Sequence, residues 1–247
     1  MGARFLQLPV IFLFFRSFCL LSTGDKKICS TDSNNVIPIR ETNMDMPHIG
    51  ISYEGNIPES TFSEFLDDVS NEKLLINVKS REQGGPHAGF EWLLPTMVVA
   101  YISKSYFDAF LKEMGKDHYL LLKKGLASLR ARLVGEKAPE VTIISTPGKT
   151  NKANKYSFVF SIIAEAEEGQ RFKLLIQEGV SEGEYARIND AFLTFLEQYH
   201  SGNLDKKMVE KLVSVNVVGG TLLLAFNDDI GELEPIDPRP KNINSNE

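Results

Sequence analysis

A histidine and a glutamate four residues apart in a glycine-rich stretch are the first pair that could do chemistry. Residues 84–91 read GGPHAGFE and hold His87 and Glu91. A carboxylate can orient an imidazole as a general base, which makes this stretch a candidate site for a hydrolytic enzyme. No nucleophile or second ligand can be placed beside it from sequence. Glycine and proline at this density also describe a flexible loop leading into the apolar run that follows.

Residues 146–150 read TPGKT and invite comparison with a phosphate-binding loop. Such a loop needs a glycine five residues before its second one and a helix after its Lys-Thr, to aim N–H groups at phosphate. The first position is Ile143, and residues 151–155 lead into a strand pattern. No nucleotide is expected. The signatures GxSxG, HExxH, GxGxxG and CxxC do not occur. With only Cys19 and Cys29, a cysteine-based zinc site is excluded. His48, His87, His118 and His200 are far apart in the chain, so no metal and no cofactor are expected. Asp67-Asp68 and Asp228-Asp229 are adjacent carboxylates, whose side chains diverge on a helix and suit Mg2+ poorly.

The remaining candidates are basic. Between Lys104 and Lys155 there are 11 basic and 5 acidic residues, a local +6 in a chain of net charge −6. Lys112, Lys116 and Lys123 share one helical face with Arg130 roughly in line, and Lys124, Arg132, Lys137, Lys149, Lys152 and Lys155 add to the excess. A stripe of this kind can meet phosphates of lipid headgroups or nucleic acid, or an acidic protein partner. It also suits a solvated helix face. Aromatic-interleaved RNA-binding signatures are missing, and the acidic whole argues against a general nucleic-acid binder.

These residues must be held by a chain of 247 residues, 43% hydrophobic and 24% charged. That is ordinary for a globular protein and long enough to fold without disulfides or metals. Residues 48–54 (HIGISYE) and 74–78 (LLINV) read as strands around a helix opened by Thr61 and Glu64, a βαβ unit. The apolar run 92–102 (WLLPTMVVAYI) reads as a buried helix, continuing to about 133 as one bent helix or two, with Gly115 at the break. The aromatic segment from Phe90 to Phe110 would alternatively dock on a membrane surface. Residues 141–145, 156–165, 171–177 and 221–226 read as strands. A helix capped by Ser181 and Glu184 and a shorter one over 205–215 lie between the last two. The acidic, proline-containing residues 228–247 read as a disordered tail.

The sum is α+β: a single mixed β-sheet with long central helices packed on it, over residues 47–227. Residues 1–46 stand apart. Residues 1–24 resemble a secretory signal weakened by Arg16, which would make the protein secreted or periplasmic. A translation start at Met44 or Met46 would instead make residues before it a spurious extension of a cytoplasmic protein. The functional expectation is a non-enzymatic binding protein, contacting a protein partner or an anionic surface through its basic middle. The alternatives are a hydrolase around residues 84–91 and a membrane-peripheral protein.

Overall fold

The structure is a computed structural model and describes residues 47–82, 96–111, 115–134, 138 and 155–238, within the compact unit Met44–Glu247. The elements are β1 (Ile49–Glu54), a 3-10 turn (Glu59–Phe62), α1 (Ser63–Val69), β2 (Ile76–Arg81) and β3 (Val98–Ile102). A π-helical turn (Tyr106–Leu111), α2 (Lys116–Val134), β4 (Phe160–Glu165) and β5 (Arg171–Leu175) follow. Then come α3 (Glu182–His200), α4 (Lys206–Ser214), β6 (Thr221–Asn227) and β7 (Glu232–Ile236).

All seven strands form one mixed sheet in the order β2-β1-β3-β4-β5-β6-β7. Three pairs are parallel, and helical segments lie between the partners of each: β1 with β2, β3 with β4, β5 with β6. The junctions between pairs are antiparallel. This is the expected α+β architecture with its single mixed sheet.

Alternation along the strands divides the sheet into two faces. Ile49, Ile51, Val98, Ala100, Ile102, Phe160, Ile162, Phe172, Leu174 and Leu224 point to the face that meets α1, α2 and α3. Their helical partners include Phe62, Phe65, Leu122, Leu126, Tyr185, Phe192 and Leu196. A glycine brings α1 and α2 together: a Cβ on Gly125 would stand 2.5 Å from Val69 Cγ2. The second face carries Ser52, Val99, Tyr101, Ser161, Ile163, Lys173, Leu175, Leu223 and Ala225.

Several elements depart from the sequence pattern for identifiable reasons. The described part of the run 92–102 is strand β3, not helix. A strand buried on both faces is continuously apolar, so its period-2 signal vanishes. The helical stretch after it is two pieces, with Gly115 between them at φ +75, the left-handed region that suits glycine. Thr61 and Glu64 form no capping box: Thr61 lies in the 3-10 turn, and Phe62 precedes α1 without a side-chain cap. Ser181 and Glu184 do form one, each side chain meeting the other's backbone N–H. Residues 228–238 are not a disordered tail. Leu233 is buried, and β7 pairs antiparallel with β6 through a tight turn, placing Pro235 opposite Leu224 on the border of the sheet. The predicted strand 141–145 and the TPGKT loop lie outside the described residues.

Candidate functional site

The second face has a polar centre. Lys173 stands in β5 between Ile163 of β4 and Leu223 of β6 in the ladder, and it is 2% exposed. Ser161 is its diagonal neighbour on β4, and the Ser161 hydroxyl lies 2.7 Å from that of Thr96, just before β3. Both are buried. The Thr96 hydroxyl also donates to the Val98 carbonyl at 2.7 Å. Arg81, at the end of β2, reaches across: its Nη2 donates to the carbonyl oxygens of Thr96 and, at 3.2 Å, Met97. Glu54, next to Arg81 in the β1–β2 ladder, lies 3.7 Å from the same nitrogen.

Burial governs the protonation of both cations. It lowers the Arg81 pKa, against the pull of Glu54. It also pushes the Lys173 ammonium down to about 8, and the like charge of Arg81 adds to the effect. Arg81 and the two hydroxyls thus meet where the chain leaves β2 and enters β3, and Lys173 is near enough for the charge of Arg81 to act on it. Arg81 and Thr96 flank the segment that carries His87 and Glu91, which itself lies outside the described residues. Nothing in the local sequence singles out Lys173. Arg171 and Lys173 alternate with Phe172 and Leu174 and read as the watered side of a strand, yet only Arg171 is exposed.

The expected basic surface on α2 has a different character. Lys123 pairs with Asp190 of α3 and lies 4.9 Å from the centre of the Tyr119 ring. Lys124 is 3.8 Å from Asp68, and Arg132 pairs with Glu64. Arg130 is turned inward and 5% exposed: its Nη2 donates to the Val180 carbonyl at 2.9 Å. Its position follows from spacing, because Arg130 stands four residues after Leu126 and three before Leu133, on the buried stripe. These cations therefore bind the helices to one another. Of Lys116 the backbone alone is described, and Lys112, Lys149 and Lys152 lie outside the described residues. Exposed apolar side chains share α2: Leu120 is 60% and Leu121 42% exposed.

Within the aromatic segment expected to meet a membrane, Val98, Ala100 and Ile102 are buried in the sheet, and Tyr106 and Phe107 are core residues. No helix among the described residues is long and apolar enough to cross a bilayer. No group of three His, Cys, Asp or Glu among them could hold a metal ion. A groove of about 310 Å3 runs between α3, α4 and β7, floored by Phe195, Leu204, Met208 and Leu233, with Lys211 and Glu232 at its rim. None of the residues singled out in the sequence lies in it.

Comparison with known proteins found no matching family model, no matching curated protein and no matching solved structure.

Proposed function

We propose that the protein binds a small anionic molecule against the second face of its sheet, where Arg81, Thr96, Ser161 and Lys173 meet. The observation that carries this reading is Lys173. Lys173 is 2% exposed, and an amine held there keeps its charge only against the cost of lost hydration. Ile163 and Leu223 flank it in the ladder. A buried basic group near a second cation is a mark of a functional site. The two cations supply a positive field that is strong in a poorly solvated place. Thermal unfolding in a panel of small carboxylates and inorganic phosphate tests it. At least one should raise the wild-type Tm and leave Lys173→Met and Ser161→Ala unmoved. An equal response from all three chains would overturn it.

A protein partner on the outward side of α2 is a second reading, favoured by exposed Leu120 and Leu121 one turn from Lys124, whose side chain is 72% exposed. A Leu120→Ser, Lys124→Glu chain should keep its Tm and lose the cross-linked species formed by wild type. Unchanged cross-linking would remove this reading.

A further inference from the structure

We infer that α4 is a hinged flap over an apolar groove, latched to β7 by ion pairs. It stands apart from the anion site and uses none of that site's residues. α4 differs from the other helices in how it is held. α1 buries Phe65 and Val69, α2 buries Leu122, Leu126 and Leu129, and α3 buries seven side chains. α4 buries none. Its apolar side, Met208 and Leu212, with Leu204 before it and Val215 after, reaches the core but is only partly covered. The groove of about 310 Å3 separates it from Phe195 of α3 and Leu233 of β7, both 4% exposed.

Charge holds what packing does not. Lys207 and Lys211, one turn apart on α4, both face the Glu232 carboxylate, at 3.3 and 3.5 Å. Lys211 also lies 3.6 Å from Glu234. The Lys207 side chain is 69% and that of Glu232 48% exposed, so dissolved salt reaches the latch and weakens it. Both helix ends are completed within the segment itself. Asp205 Oδ1 accepts from the Met208 N–H at 2.9 Å, and the Ser214 hydroxyl donates to the Lys211 carbonyl at 2.7 Å. Lifting α4 breaks neither bond. The connections are Gly202 on one side and Gly219-Gly220 on the other, where an added Cβ would meet nothing within 4 Å. Such uncrowded turns can absorb a hinge motion. Few buried contacts and exposed pairs mark a unit that opens ahead of global unfolding.

Hydrogen exchange of the full native chain, resolved by peptide, tests the flap. A helix of nine residues is marginal in water, so α4 away from the core loses its helical hydrogen bonds and its amides exchange. In wild type, residues 206–214 should exchange faster than residues 182–200 of α3 and 232–236 of β7. Raising NaCl to about 0.5 M should speed α4 several-fold and leave the other two as they were. Glu232→Gln removes the shared carboxylate and keeps its shape. At low salt it should speed α4 about fivefold and weaken the response to NaCl. Lys206→Gln removes a charge from the same helix outside the latch and should exchange like wild type. Exchange of α4 in step with α3 and β7 would overturn the inference. So would a Glu232→Gln chain that exchanges like wild type, or one matched by Lys206→Gln.

Discussion

The guanidinium carbon of Arg130 lies 4.6 Å from the centre of the Tyr185 ring, so a residue that reads as surface charge is a clamp between α2 and α3. The Val180 carbonyl takes a hydrogen bond from the same side chain. Truncation leaves that carbonyl without its donor and opens a gap beside the ring. Arg130→Ala should lose roughly 2–4 kcal/mol of stability in urea denaturation, in keeping with a broken buried polar contact. Lys124→Ala, on the same helix but outside, should lose under about 0.5 kcal/mol. Similar losses in the two would show that Arg130 is not inside.

Lys173 imposes a pH dependence of known sign. Its pKa falls from 10.5 in the unfolded chain to about 8 in the fold. Between those limits the unfolded chain holds a proton that the native chain lacks, so stability rises with pH across this window and falls as pH drops toward 8. The full swing is on the order of 3 kcal/mol. Lys173→Met should flatten this part of the stability curve, measured as the difference between variant and wild type. Parallel curves from pH 8 to 10.5 would contradict the burial of the amine.

His200 makes the second titration. Its ring stacks on Phe107 at 4.5 Å, and burial lowers its pKa although Asp108 and the Glu165 backbone pull it upward. Below the ordinary histidine pKa of about 6.5 the unfolded chain therefore binds the proton first, and stability falls with pH until the native ring is protonated too. His200→Phe keeps the stacked ring and removes the proton. The loss of Tm on going from pH 7 to pH 5.5 should be smaller in this variant than in wild type. An equal loss would place the acid sensitivity elsewhere.

Gly125 sets the spacing of α1 and α2. Alanine is the better helix former by about 1 kcal/mol, yet its methyl would stand 2.5 Å from Val69 Cγ2 and 3.2 Å from Phe65 Cδ2. Overpacking of this kind costs typically 1–3 kcal/mol, so Gly125→Ala should be destabilising on balance. Pairing it with Val69→Ala should recover part of the loss in a double-mutant cycle. A stabilised single variant would mean that the helices move apart freely.

What the sequence disclosed was local. The α3 start was readable because Ser181 and Glu184 are three residues apart and meet each other's backbone. The β1-α1-β2 unit was readable because each strand is short and bounded by turn residues. β3 was not, since a strand covered on both sides and a buried helix have the same composition. β7 was not, because Glu232, Glu234 and Pro235 hide a strand that rests on one buried residue, Leu233, and on its register with β6. The burial of Lys173 escaped for a related reason. Period-2 alternation tells which side chains share a face, and burial of that face is decided by distant parts of the chain. Of the basic stripe the charge was visible, but Asp190, Asp68 and Glu64, which face Lys123, Lys124 and Arg132, are on other helices.

Pro235 has a bearing on assembly. It has no N–H to offer a neighbour, and Glu232 and Glu234 flank it on the same outermost strand. A further strand arriving there would meet a missing donor and two negative charges. Among the described residues the opposite border is β2, whose residues Ile76–Arg81 include no proline. Growth of the sheet by recruitment of another chain is therefore closed on the β7 side.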